Sequence, residues 1–297
     1  MLTGYLHSEY AASHSEFGKP IFLPASGGWL LARGIGESGL RDAMGCYPLF
    51  CCVNWAGLHH DLEILKEQLV AVVLVTDPFG KYSHGLLEAC FDNVTRFKEH
   101  FIIETGQPLA SFVNPSHRRH ALRALRDVDV EICPEPLAYL EDWDQMFSVL
   151  AARHSIRGLR RFSRAAFQKQ LAVPGIVMFR ALHNGQTIGL DLWYSQDDCA
   201  QAHLAAFSSV GYELRASYAT KWRAIEYFTE RVTCINLGAG RAANSTDGLS
   251  QFKQGWSTGK RPAWLCGRVL QAEIYAKLSP IFATGHGYFP AYREGEF

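Results

Sequence analysis

The sequence predicts an α/β (α+β) protein with mixed, mostly antiparallel sheets flanked by helices. Three observations carry that prediction. Aliphatic and β-branched runs of strand length alternate along the chain with stretches of helical apolar spacing. Asn184-Gly185 separates two such runs, which is the strongest short-range signal for an antiparallel hairpin. Near the C-terminus, Asn236-Leu237-Gly238-Ala239-Gly240 and then Asp247 to Trp256 read as a strand, a glycine-rich turn and a short helix, with a further strand from Pro262 to Leu270.

Taken in order, Gly27 to Ile35 is the first expected strand. Leu58, Leu62, Leu65 and Leu69 form one helical stripe. Val70 to Thr76 reads as a buried strand and ends in the turn signal Asp77-Pro78-Phe79-Gly80. His84 to Phe91 fits a helix and Phe97 to Glu104 a strand. Asn114-Pro115 opens a helix, with proline in its first turn, and Val128 to Ile132 follows as a strand. Residues 136 to 173 read as helical, on the stripe Leu140, Trp143, Met146, Phe147 and Leu150. Then come strands at Gly175 to His183, Thr187 to Ser195 and Ala200 to Ser208. The stretch from Ser209 to Ser217 leads into a helix carrying Tyr218, Trp222, Ile225 and Thr229 on one face, and Thr233 to Leu237 is the next strand. The expected organisation is an N-terminal half over 1–135, a helical bridge over 136–174 and a C-terminal half over 175–297.

Composition narrows the function. Of 297 residues, 48% are hydrophobic and 20% charged, which supports a sizeable core and argues against disorder. Lys+Arg and Asp+Glu are both 29, so net charge asks for neither a nucleic-acid nor a membrane partner. The longest apolar run, Leu69 to Thr76, is too short to span a bilayer. The first residues carry no signal-peptide core, and a cytoplasmic protein with no membrane partner is expected. The eight cysteines form no CxxC pair, so reduced thiols and no metal are expected. His59-His60-Asp61 points in different directions around a helix and reads as surface.

The C-terminal order of elements, with its Asn-Leu-Gly, Gly-Leu and Phe252-Lys253 residues, resembles the FemAB-like branch of the GNAT acyltransferases. Arg118 to Ala124 followed by Val128 to Ile132 is similar to an arginine-bearing helix–strand pattern of the same proteins. The resemblance runs from about Ser111 to Tyr275. It implies tandem GNAT-like domains and transfer of an acyl or aminoacyl group to a small-molecule or peptide amine acceptor. The donor it implies is acyl-CoA, aminoacyl-tRNA or an acyl-carrier protein, so tRNA or a carrier protein is a possible partner. In such folds a splay between two parallel strands exposes backbone to the donor, and donor phosphates sit on a helix N-terminus. The glycine-rich coenzyme A loop of GNAT enzymes, Gln/Arg-x-x-Gly-x-Gly/Ala, is missing here, and the donor stays open.

Lys253 is the expected catalytic cation, set to stabilise a carbonyl oxygen or bind a phosphate at the border of a helix face formed by Leu249, Phe252 and Trp256; a solvated helix lysine is the other reading. His203 and Tyr194, on adjacent strands, are further catalytic candidates, His203 as a base near neutral pH or else as a hydrogen-bonded core histidine. Gly211, Tyr212, Arg215, Ser217 and Phe252 are expected to hold the donor, though Tyr212 fits equally a cap ahead of the helix. Asn236, Trp256 and Arg119 are expected to meet the acceptor, with turn-capping the alternative for Asn236. The arginines between Arg118 and Arg164 form either a polyanion site for a tRNA backbone or phosphopantetheine arm, or a solvated face. A GNAT-shaped binding or scaffold protein without catalysis is the alternative from another functional class.

Overall fold

The computed structural model describes residues 2–240, 247–279 and 288–296. The chain begins with α1 (Ser8–Ala12), β1 (Lys19–Leu23), β2 (Gly28–Gly34) and β3 (Arg41–Gly45). It continues through α2 (Leu58–Ile64), β4 (Ala71–Val75), α3 (His84–Cys90), β5 (Asn93–Glu104) and α4 (Leu109–Phe112). Next come α5 (Pro115–Ala124), β6 (Asp129–Cys133), α6 (Leu140–Arg153) and α7 (Arg164–Gln170). The hairpin strands β7 (Ile176–His183) and β8 (Gln186–Gln196) precede β9 (Cys199–Phe207), α8 (Ser209–Glu213) and α9 (Ala216–Thr229). Last are β10 (Cys234–Ala239), α10 (Gly248–Gln254), β11 (Gly259–Val269) and α11 (Ala272–Leu278). The mixed α/β class is as the sequence predicts.

The chain forms two compact units, and both are discontinuous in sequence. The first comprises Met1–Gly4, Lys98–Arg157 and Ser163–Pro262; the second comprises Tyr5–Phe97, Gly158–Phe162 and Ala263–Phe297. This differs from the linear division at 135 and 175, because strand pairing joins distant segments. Val269 pairs with Ala71 in the second unit, and Ile235 with Ile103 in the first.

In the first unit the strand order is β5-β10-β9-β8-β7-β6. Among the described residues its pairings are antiparallel except that of β9 with β10. The β7–β8 turn is the predicted one: Asn184 and Gly185 have φ of 51° and 76°, the left-handed pair a two-residue hairpin of this twist requires. Trp193, Ala200, Ile235 and Leu237 meet Ala224, Ile225 and Phe228 of α9 in one buried cluster. Side chains alternate across a strand, so Tyr194, Gln201 and Asn236 lie on the face away from α9. In the second unit the order is β1-β2-β3-β4-β11, with β3 and β4 parallel. Its core joins Leu30, Phe50, Trp55, Leu62, Val72 and Cys266.

Several local expectations change. Residues 209 to 213 form a short helix of their own ahead of α9, because Ser208 caps them through Gly211 N–H. Leu249 is 41% exposed, so it does not belong to a buried face of α10; Ser250 does. Asp61 is buried, not surface: its carboxylate accepts from Ala25 N–H at 3.0 Å and Ser26 N–H at 2.7 Å. No helix among the described residues is long and apolar enough to cross a membrane.

Candidate functional site at the end of strand β10

Strands β9 and β10 pair in parallel only at Cys199↔Cys234, Ala200↔Ile235 and Gln201↔Asn236, yet β9 runs on to Phe207 and β10 to Ala239. Beyond Asn236, β10 also shifts register against β5, from Asn236↔Ile102 to Gly238↔Phe101. Gly238 takes φ of 79°, a left-handed conformation that glycine adopts at little cost. Asn236 Oδ1 accepts its N–H at 2.9 Å and so closes the kink.

The helix α10 brings Lys253 to this point. Asp247 caps α10 by accepting from Leu249 and Ser250 N–H. Toward the end of the same helix, partly buried Lys253 donates from Nζ to Ala239 O at 2.7 Å. A Cβ on residue 238 would stand 2.8 Å from that Nζ, so the absent side chain is what leaves room for the ammonium. Burial, then the ammonium groups of Lys221 and Lys98, bring the Lys253 pKa down to about 7, against the opposing pull of Asp247 and Asp191. Lys221, on α9, pairs with the buried carboxylate of Asp191 at 3.1 Å and lies 4.2 Å from the Trp193 ring centroid.

Phe252 precedes Lys253 and joins α10 to the start of α9. Its ring lies 5.0 Å from that of Tyr218 and 5.7 Å from that of His117 on α5. His117 Nε2 donates to Phe252 O at 3.0 Å, since a carbonyl can only accept. Trp256 belongs to the same aromatic group but is fully buried. The indole therefore packs in the core and does not present a surface to an acceptor, which corrects the expectation for Trp256.

Helix α9 begins where the sequence places it. Arg215 occupies the cap position with φ of 57° and supplies no side-chain acceptor to the first-turn N–H groups; Ser217 lies in that turn. The Arg215 guanidinium contacts His120 of α5. The same stretch of α5 carries exposed Arg119, and Arg215, Arg119 and Arg123 all act, after burial, to lower the His120 pKa. Gly211 is explained by packing instead: a Cβ there would meet Ile188 O at 2.2 Å. Tyr212 is exposed and lies under the Arg153 guanidinium at 4.5 Å.

His203 and Tyr194 are together, as their strands predict, with rings 5.0 Å apart. They lie on the face away from α9. Both are tied to Gln170, Tyr194 by donating from its hydroxyl to the backbone O at 2.9 Å and His203 through Nε2 to Oε1 at 3.1 Å. Tyr194 is wholly buried, and burial holds its hydroxyl protonated far above the usual range. A phenol so enclosed touches no substrate, so its catalytic candidacy is withdrawn. Asn236 is buried too, and its amide is engaged by the chain itself. Reading residues alone missed Lys221, Asp191 and His100. Asp191 had a signal: it is an acid enclosed by Leu190 and Leu192 in a strand-like run. Among the described residues, no group of three His, Cys, Asp or Glu could hold a metal ion.

No protein-family signature matches the sequence, and no curated protein does. Solved structures do. FemX is similar over 91% of this chain and 93% of its own, with a TM-score of 0.69 at 12% identity. A C-terminal domain ascribed to a lysylphosphatidylglycerol synthetase of Agrobacterium fabrum is similar over 91% of each chain, with a TM-score of 0.60 at 14% identity. L-PGS from Bacillus licheniformis is similar over 90% of this chain and 94% of its own, with a TM-score of 0.59 at 14% identity.

Proposed function

We propose, from a fold held in common with FemX and the lysylphosphatidylglycerol synthetase domains, that the chain is an N-acyltransferase. It moves an acyl or aminoacyl group from a thioester or ester donor to an amine acceptor. One observation carries the reading: the Lys253 ammonium is fixed on the Ala239 carbonyl at 2.7 Å, beside the point where two parallel strands part. The shared fold supports the same reading.

In this reaction the amine nitrogen attacks the donor carbonyl carbon. A C–N bond forms, the C–S or C–O bond to the carrier breaks, and the nitrogen gives up a proton that ends on the departing thiolate or alkoxide. Negative charge gathers on the carbonyl oxygen. Lys253 is the group proposed to meet it, since a cation held in a poorly solvated place acts most strongly on charge that develops during reaction. One of its three N–H bonds is committed to Ala239 O, which orients the other two.

For the donor, phosphates of coenzyme A, of a phosphopantetheine arm or of a tRNA end bind at the N-terminus of α9, beside Arg215 and Ser217. The free N–H groups of a first turn and the positive end of the helix dipole attract anions. Tyr218 in that turn packs on Phe252, next to Lys253, which supports one continuous donor site. Arg119 extends the same positive surface. The acceptor is a small-molecule or peptide amine. His203 is proposed to hold Gln170 and not to act as a base.

The test is to supply acetyl-CoA and, separately, aminoacyl-tRNA together with a primary amine, following both transfer and thermal shift. Transfer from either donor supports the proposal. A folded protein that binds neither donor and transfers nothing would leave a non-catalytic scaffold as the reading.

A further inference from the structure

Asn236 makes no hydrogen bond that is left for a ligand to replace. Its Oδ1 accepts from Gly238 N–H at 2.9 Å, and a backbone N–H can only donate, so the orientation of the amide is fixed. Nδ2 then donates to Gln201 Oε1 at 2.7 Å. His100 Nδ1 lies 3.0 Å from the same Asn236 Oδ1, and must carry the proton in that contact. Asn236, Gln201 and His100 are all buried. The amide thus ties β5, β9 and β10 together at the residue before β10 kinks. The kink decides where Gly238 and Ala239 lie, and these two residues bound the Lys253 ammonium, one by a carbonyl and one by a missing side chain.

We propose that Asn236 is a positioning residue for Lys253: through the Asn236–Gly238 turn it holds the strand end that seats the ammonium. The proposal rests on the reading of Lys253 as the site cation, but its test does not. Burial of the ammonium at this seat accompanies a pKa of about 7, whereas an unperturbed lysine stands near about 10.4. A seat lost is therefore a proton affinity regained.

The experiment labels the intact protein with trace acetic anhydride from pH 5 to 11 and reads modification of Lys253 by peptide mass spectrometry. Wild type is expected to show a midpoint near 7. Asn236→Ala is expected to raise that midpoint by one unit or more. Asn236→Ser, whose hydroxyl still accepts from the N–H two residues on, is expected to return most of the shift. A folded Asn236→Ala with the wild-type midpoint overturns the proposal. If Asn236→Ala does not fold, Gly238→Ala puts the same question by placing a methyl group 2.8 Å from Nζ; an unchanged midpoint there overturns it as well. Unimpaired transfer by Lys253→Ala would sink the catalytic reading and leave these midpoints untouched, so the two failures are told apart.

Discussion

Lys221 reaches Asp191 at 3.1 Å across the face of Trp193, and this pair is one of the most enclosed ion pairs of the first unit. Asp191 is 1% exposed. An ion pair so placed adds little over apolar residues of the same size, yet breaking it strands a charge. Asp191→Asn is expected to lower stability by about 3 kcal/mol, read by denaturant unfolding. The double variant Asp191→Asn with Lys221→Met is expected to regain part of the loss. If the single variant unfolds like wild type, the pair is not the buried contact described.

Lys253→Ala is expected to lower acyl transfer by about tenfold or more, as loss of one stabilising donor does, with the melting temperature changed by only a few degrees. The pH dependence adds a sign. With a pKa of about 7, Lys253 is charged below that value and neutral above it. A cation role predicts that the ratio of wild-type to Lys253→Ala rates falls as pH rises through about 7. A ratio that climbs instead would assign Lys253 the role of a base.

His100 offers a stability measurement. Burial lowers its pKa from 6.5 to about 4, against the raising effect of its Asn236 bond. Between those values the unfolded chain takes up a proton that the folded chain refuses, so stability falls as pH drops from about 6.5 to about 4. His100→Gln should flatten that part of the curve, by about 3 kcal/mol at most. Identical acid curves for the two proteins would count against a buried neutral imidazole.

Arg215→Glu is expected to weaken donor binding, and more at low salt than at high, because an exposed charge acts through a screened field. Calorimetric titration with coenzyme A and with tRNA checks it. Equal affinity at both ionic strengths would move the donor elsewhere, toward the arginines between Arg118 and Arg164. Gly211→Ala separates packing from binding in the same region. Its methyl group would meet Ile188 O at 2.2 Å, so a loss of about 2 kcal/mol in stability is expected, with the donor affinity of the folded fraction unchanged.

The second half of the chain was the more legible in sequence, and the reason is locality. Asn184-Gly185 states its own turn, and β7, β8 and β9 pair with their neighbours in the chain. Lys253 is proposed because Phe252 and Lys253 stand in a recognisable order after a glycine-rich turn; residues 241–246 of that turn lie outside the described residues. What escaped was decided at long range. His100 looks like any polar residue in a strand until Asn236, 136 positions on, supplies its partner. Strand β3 was missed because Arg41-Asp42 opens it, and the partners that make Asp42 tolerable in a core are Arg33 and Arg293. For Gly211 the sequence suggests a ligand, as a glycine before a helix does, and could not show the close approach of the Ile188 carbonyl.

The discontinuity of the two units bears on how the chain is made. The Asp42 carboxylate receives both nitrogens of the Arg293 fork, Nε at 2.7 Å and Nη2 at 2.9 Å, across 251 positions. Strand β4 likewise waits for β11. A ribosome releases residues 5–97 long before residues 263–296, so the unit that holds β1 to β4 is completed after the other. In the interval β4 has an open edge and Asp42 lacks its Arg293 partner. The nascent chain can finish the other unit meanwhile, since Pro262 closes it. Synthesis from the N-terminus thus runs against the order in which the units become complete, and the early strands need shelter until β11 has been made.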